Sequence, residues 1–212
     1  MKKKLLFILY FFVIIGFQFS DSIIVKGIGS RQKIINVDND AYELNLSKTV
    51  NQITEIEGIE KLKNLRKLKI AFSDITTISS DFWKSISEIH FLEIGFGTIN
   101  DFSFLQYLPN LITLSVYETY IIEKNCNLNL KNNEKLEYIE LHGIHDIAYP
   151  CVIYPPNSLK VLDIKGSVFR PENEDEFLVS LANTDIVLII NDKQYQQLKD
   201  NKNFANIKFE KY

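Results

Sequence analysis

One spacing of apolar residues recurs along the chain and constrains its fold more than any other feature. In LRKLKIAFSDI, which starts at Leu65, apolar residues occupy positions 1, 4, 6 and 11. LITLSVYETYI, which starts at Leu111, repeats these positions, and successive copies begin 21 to 25 residues apart. The eight copies, of which the first is weak and the last two are degenerate, start at Ala41, Leu65, Ile89, Leu111, Leu136, Leu159, Asn183 and Phe204.

Each copy joins a strand period to a helical period. Apolar residues at positions 4 and 6 alternate as they do in a strand with one buried face. In the preceding FSFLQYLPNL, Leu105, Leu108 and Leu111 lie three residues apart, which favours a turn of helix or 3₁₀ helix. No single copy can bury its apolar side alone, so the pattern predicts stacked copies whose strands pair in parallel.

This pattern resembles the leucine-rich repeat family, whose repeat is L-x-x-L-x-L-x-x-N/C-x-L with a period of about 20–29 residues. The short repeats, such as IEGIEKLKNL (56–65), look like those of internalin-type bacterial proteins. The resemblance covers residues 41–212 and implies an α/β fold. It implies a curved right-handed solenoid with a parallel β-sheet on its concave face and short helical or 3₁₀ segments on its convex face.

The chain departs from the family at position 9, which usually holds asparagine. This position holds Ser73, Gly97, Thr119, Ile144 and Ser167. We therefore expect Ser and Thr hydroxyls, or water, to satisfy the buried backbone groups of these turns.

The first 22 residues have the composition of a secretory signal. A basic MKKK precedes an apolar run from Leu5 to Phe17, and Ser20 and Ser22 form a small-x-small cleavage site. We expect cleavage after Ser22 and no stable membrane insertion of the mature chain, although an uncleaved anchor is the alternative. Secreted, periplasmic and cell-surface locations in a bacterial cell envelope are all compatible with such a leader.

Loss of the leader changes the formal net charge from −3 to −5, which argues against nucleic-acid binding. Residues 23–40 are predicted to cap the first repeat, because the end of a stacked core must be covered. The polar segment from Tyr195 onward is predicted to cap the other end. True helices are expected at 81–89, with Asp81 as N-cap, and at 173–182.

No motif predicts a catalytic centre, a cofactor or a metal site. His142 and His145 in HGIHD could suggest a metal pair with Asp146, but the repeat slips just after His142. His142 is therefore expected on the exposed strand face and His145 is expected to turn elsewhere, which argues against a metal site. The segment 36–47 lacks the glycine and glutamate of a calcium loop.

The remaining signal is a surface, because positions 3, 5, 7 and 8 of such repeats face the concave side. The predicted ligand-binding residues are Phe72, Phe91, Glu93, Phe96, Tyr117, Glu118, Tyr138, Glu140 and His142. Exposed aromatic residues ringed by charges favour a protein or peptide ligand. Packing of Phe72 and Phe96 over the rim is the alternative for those two residues.

The leading interpretation is an exported, non-catalytic module for protein binding, with adhesion or host contact as its role. A periplasmic scaffold is a second interpretation. A third is a glycan-active enzyme that uses the carboxylates of Glu93 and Glu140, which the strand spacing places about 10 Å apart.

Cys126 and Cys151 both fall on position 16 of adjacent copies. Equivalent positions stack at about 5–6 Å between Cα atoms, which a disulfide can span. A bridge would close a loop of about 25 residues and contribute up to about 3 kcal/mol. The alternative is two small buried thiols.

The two alternatives for the cysteines predict different thiol counts. Titration of the denatured, unreduced protein gives no free thiol if Cys126 and Cys151 are bonded. Two free thiols contradict the disulfide, and the same titration after reduction supplies the control.

Overall fold

The computed structural model of the chain describes residues 20–50, 52–71, 73–100, 102–121, 128–144, 153–167, 178–179, 181–182 and 184–212. The described strands are β1 (Ser20–Gly27), β2 (Arg31–Asp38), β3 (Glu43–Asn45), β4 (Ile53–Glu57), β5 (Lys67–Ala71), β6 (Phe91–Gly95), β7 (Thr98–Ile99), β8 (Thr113–Tyr117), β9 (Tyr120–Ile121), β10 (Leu128–Asn129), β11 (Tyr138–His142), β12 (Ile153–Tyr154), β13 (Val161–Asp163), β14 (Val187–Ile190) and β15 (Lys208–Lys211). Among the described residues, the α-helices with both ends defined are α1 (Ser80–Ser85) and α2 (Asp192–Leu198), and residues 178–179 and 181 are also helical. 3₁₀ turns occupy Ile59–Lys61, Ile75–Thr77, Ser103–Tyr107 and Phe204–Asn206.

An eight-stranded parallel sheet organises the molecule, in the order β3-β5-β6-β8-β11-β13-β14-β15. Neighbouring strands pair at matching positions of the repeat, so that position 4 of one copy lies beside position 4 of the next. The row formed by position 4 contains Leu44, Leu68, Leu92, Leu114, Ile139 and Leu162. The predicted parallel sheet and its register are confirmed across these six copies, and the fold is α/β and leucine-rich-repeat-like.

The core lies between this sheet and the return segments. Leu92, Ile94, Leu114 and Val116 point inward from β6 and β8 and are fully buried. Leu105, Leu108 and Leu111 meet them from the opposite side and are equally buried. The double period of the sequence therefore reflects two walls around one apolar interior.

Helix α1 differs slightly from its prediction. It covers Ser80–Ser85, and its N-cap is Ser79, whose Oγ accepts a hydrogen bond from the N–H of Phe82 at 3.3 Å. Asp81 lies in the first turn, where its carboxylate still favours the positive end of the helix. Of the second predicted helix, 173–182, only residues 178–179 and 181–182 are described.

The N-terminal segment forms a hairpin on the side of the return segments. β1 pairs antiparallel with both β2 and β4, and its Ile23 and Val25 are fully buried. β1 begins at Ser20, so cleavage after Ser22 would remove three residues that pair with Asn36–Asp38. The boundaries 1–22, 23–40 and 41–212 stay predictions, and residues 1–19 lie outside the described part.

The two C-terminal copies are present but displaced from their predicted starts. Val187 pairs with Val161, and Lys208 pairs with Val187. The two copies therefore start two residues after the predicted starts, Asn183 and Phe204. The segment from Tyr195 onward is only partly polar, because Leu198, Phe204 and Ile207 are buried. Gln194, at the start of α2, is also buried and donates to the carbonyls of Ile164 and Ser167 at 2.7 and 2.9 Å.

Hydroxyl groups replace the missing asparagines at two of the position 9 sites. Thr119 Oγ1 donates to the carbonyl of Tyr117 at 2.8 Å, and Ser167 Oγ donates to the carbonyl of Leu141 in the preceding copy. This prediction is confirmed for these two residues. Ser73 Oγ is buried and has no hydrogen-bond partner within the described part of the chain.

Gly97 occupies position 9 because no side chain fits there. A Cβ atom on Gly97 would lie 1.9 Å from the backbone oxygen of Ser73 in the preceding copy. That oxygen also accepts a hydrogen bond from the N–H of Thr98 at 3.2 Å, so the two turns are held together at this point. Glycine is therefore required by close approach of two backbones.

We expect Gly97→Ala to lower the free energy of unfolding by about 2 kcal/mol or more, because the two turns must separate. Urea denaturation monitored by circular dichroism measures the change. Gly29→Ala is the control, because Gly29 has open space around it and a φ of +74°. This replacement should lower the free energy of unfolding by about 1 kcal/mol through backbone strain alone. Equal stability of the two variants would contradict the close contact.

Candidate functional site

The outward side of the parallel sheet carries three rows of polar and aromatic side chains. We call this surface the exposed face and define it by positions 3, 5, 7 and 8 of the copies. Register pairs Phe91, Thr113 and Tyr138 in one row. A second row contains Lys69, Glu93, Ser115, Glu140 and Asp163, and a third contains Gly95, Tyr117 and His142.

Phe91 lies between two lysines and an acidic neighbour. Lys67 Nζ is 5.0 Å and Lys69 Nζ is 6.0 Å from the centre of its ring. Lys69 also forms an ion pair with Glu93 at 3.4 Å. The ring is only partly buried, so part of it is exposed beside these two positive charges.

Tyr117 lies flat against the sheet because its neighbour is glycine. A Cβ atom on Gly95 would lie 2.2 Å from Tyr117 Cζ, so the ring occupies the space that a side chain would fill. Phe96 packs edge-on against this ring, with 5.2 Å between ring centres. Burial, and secondarily the negative charge of Glu93, raise the pKa of the Tyr117 hydroxyl above its ordinary value, so it stays a neutral hydrogen-bond donor.

Position 8 adopts a left-handed backbone in three successive copies. Phe96, Glu118 and Gly143 have φ values of 51°, 46° and 56°. Their N–H groups donate to the carbonyls of Tyr117, His142 and Gly166 in the following copy. The left-handed conformation therefore extends the interstrand hydrogen bonds beyond the end of each strand. Phe96 keeps 48 % of its surface exposed at this position.

A polar cluster occupies the other end of the face, around Asp163, which is only 1 % exposed. The N–H of Lys165 donates to Asp163 Oδ1 at 3.1 Å, and Lys165 Nζ donates to Oδ2 at 2.9 Å. His142 Nε2 lies 3.3 Å from Oδ1, and the Tyr138 hydroxyl lies 3.5 Å from Oδ2. Glu140 accepts a hydrogen bond from Ser115 Oγ at 3.0 Å.

The pKa values in this cluster follow from burial and charge. Burial raises the pKa of Asp163, but the hydrogen bonds from Lys165 and His142 outweigh it and hold the pKa below its ordinary value. Burial, followed by the negative charges of Asp163 and Glu140, raises the pKa of Tyr138. Asp163 is therefore ionised and Tyr138 protonated at neutral pH.

The structure brings most of the predicted residues onto this one face. Phe91, Glu93, Tyr117, Tyr138, Glu140 and His142 are partly exposed there, and Phe96 and Glu118 are exposed at the strand ends. Phe72, Cys126 and Cys151 lie outside the described residues, as do His145 and Asp146. Their predicted roles stay predictions.

Sequence reasoning did not include four charged residues in the site. Lys67 and Lys69 flank Phe91, Asp163 contacts His142, and Lys165 donates to Asp163. All four occupy position 3, 5 or 7 of their copies, so the repeat itself was the signal that could have identified them.

Comparison with known proteins finds similarity among solved structures. Neither protein-family models nor curated proteins match the chain. The crystal structure of an internalin (inlF) from Listeria monocytogenes strain 4b F2365 is similar, with a TM-score of 0.41 and 18 % sequence identity. The similarity covers 84 % of this chain and 58 % of the internalin, so the chain spans less than two thirds of that protein's length.

The described residues also bear on membrane insertion. Among them, no helix has the length and apolar character needed to cross a membrane.

We expect Asp163→Asn to lower the free energy of unfolding by about 2 kcal/mol, because a buried carboxylate that accepts from Lys165 and His142 loses its charge. Glu93→Gln is the control, since Glu93 is partly exposed and pairs only with Lys69 among the ion pairs described for this face. It should cost less than about 1 kcal/mol. Urea denaturation at pH 7 measures both, and an Asp163 variant as stable as the Glu93 variant would contradict the buried network.

Proposed function

We propose that the chain is an exported, non-catalytic module that binds a protein or peptide through the exposed face of its parallel sheet. The observation that carries the proposal is the group of partly exposed aromatic rings, Phe91, Tyr117 and Tyr138, on three adjacent strands held in register. Protein interfaces are enriched in such rings, which supply large contact areas for little lost side-chain freedom.

The surroundings of the rings favour a protein ligand. Glu93 and Glu140 lie in the row between the position 3 rings, Phe91 and Tyr138, and the position 7 ring, Tyr117. The flanking strands add positive charges from Lys67, Lys69 and Lys165. Aromatic residues are enriched at protein-binding surfaces, and charged residues supply the polar part of such surfaces. The backbone beneath is fixed by parallel pairing on both sides of each central strand, so a ligand meets a surface that is already ordered.

The contacts of the carboxylates favour binding over catalysis. Glu93 is paired with Lys69, and Glu140 accepts from Ser115 and lies 3.5 Å from His142. Ser115 stands between the two acids in the register, so they belong to strands that are not neighbours. These contacts support surface roles for both acids rather than the general acid and base of a glycan-active enzyme.

Export and location belong to the same proposal. The basic start and apolar run of residues 1–17 support secretion, and the resemblance of the short repeats to internalin-type proteins favours adhesion or host contact at the cell surface. A periplasmic scaffold is the alternative location for the same binding face. We further propose that the sheet is the concave side of a curved right-handed solenoid.

Thr113→Arg tests the binding face directly. Thr113 lies between Phe91 and Tyr138 in the register, so an arginine there would cover these two rings without removing either of them. Peptides selected from a random phage-displayed library against the natural chain should bind Thr113→Arg with affinity lower by roughly tenfold or more, because contact with the central rings is blocked. Calorimetry with synthetic peptides measures the change.

Gln106→Arg is the matched control for the added charge. Gln106 is exposed in the return segment just before the same strand, and its substitution should leave peptide affinity unchanged. Equal binding by both variants, or loss of binding in both, would place the peptide site elsewhere and contradict the proposal.

A further inference from the structure

Three potential metal ligands converge from two neighbouring strands of the exposed face. Glu140 and His142 belong to β11 and Asp163 to β13, and register places Glu140 directly beside Asp163. One oxygen of each carboxylate and one imidazole nitrogen all lie within 4.8 Å of one another. His142 Nε2 is 3.3 Å from Asp163 Oδ1 and 3.5 Å from Glu140 Oε1.

The two separations from the imidazole nitrogen are also those found between ligands of a metal ion, and the two carboxylate oxygens lie within 4.8 Å of each other. Ligands at about 2.0–2.1 Å from a tetrahedral zinc ion lie about 3.3 Å from each other. The imidazole nitrogen stands at nearly that distance from both oxygens.

Neighbouring groups hold the three ligands in orientation. Ser115 Oγ donates to Glu140 Oε2 and leaves Oε1 facing the imidazole. Lys165 donates to both oxygens of Asp163, through its N–H and its ammonium group. A Cβ atom on Gly166 would lie 3.2 Å from Cα, Cβ and Cγ of His142, so the glycine makes room for the imidazole. Such supporting contacts are typical of metal sites.

The cluster is fixed at its base and open above. Asp163 is 1 % exposed, whereas the side chains of His142 and Glu140 are 29 % and 31 % exposed. The two carboxylates outnumber the one ammonium group beside them, that of Lys165, and this excess of negative charge attracts a cation. One nitrogen and two oxygen ligands suit zinc and related divalent transition metals better than calcium or magnesium.

We propose that Glu140, His142 and Asp163 bind one Zn²⁺ ion, with the fourth position open toward solvent. The site was not predicted from the sequence because Asp163 lies 21 residues beyond His142 and joins it only through strand pairing. This proposal is independent of the proposed protein-binding function, because its test uses Zn²⁺ alone.

Calorimetric titration of the metal-free full chain with Zn²⁺ tests the site. We expect one ion per chain, and His142→Asn and Glu140→Gln should each lower the affinity by roughly tenfold or more. Ser115→Ala keeps all three ligands but frees Glu140, so it should lower the affinity by about tenfold. His90→Asn is the matched control and should bind Zn²⁺ as the natural chain does.

A second readout guards against unfolded variants and other sites. In the natural chain, Zn²⁺ should shift the imidazole ¹H–¹⁵N signals of His142 and leave those of His90 unchanged. Binding that survives His142→Asn but is lost in Cys126→Ser/Cys151→Ser assigns the ion to the thiols and overturns the proposal. Millimolar Zn²⁺ that leaves the His142 signals in place would overturn it as well.

Discussion

Parallel pairing of strands at matching repeat positions is the constraint on which the rest of the structure depends. It sets leucine beside leucine inside and position 5 beside position 5 outside, from Asn45 to Asp163. A shift of one residue in any pair would turn apolar side chains outward. The pairing thus creates the core and the exposed face in one step, and residues far apart in sequence become neighbours on that face.

Much of the fold was predictable from the sequence because burial has to repeat with the copies. Leu68, Leu92 and Leu114 appear at fixed positions, so the strands between them could be placed before the structure was known. The C-terminal register could not, because Ile186–Ile190 is an unbroken apolar run. In such a run, alternation cannot show which residues face the core. Only the pairing of Val187 with Val161 shows that this copy begins two residues later than predicted.

The site was predictable as a surface but not as a set of contacts. Alternation placed Phe91, Tyr117 and Tyr138 outward, whereas the ring of Tyr117 turned down over Gly95 depends on the neighbouring strand. The left-handed backbone at Phe96 and Glu118 was also hidden, because neither residue type favours it. Asp81 was predicted as the N-cap of α1, whereas Ser79 takes that role.

The glycines of the exposed face have a consequence for how this surface can diversify. Tyr117 occupies the space above Gly95, Glu118 that above Gly143, and His142 that beside Gly166. A large residue on one strand is therefore matched by an absent side chain on the next. Substitutions on this face would be accommodated most readily as paired exchanges, in which bulk removed from one strand reappears on its neighbour, so the unit of variation is the strand pair rather than the residue.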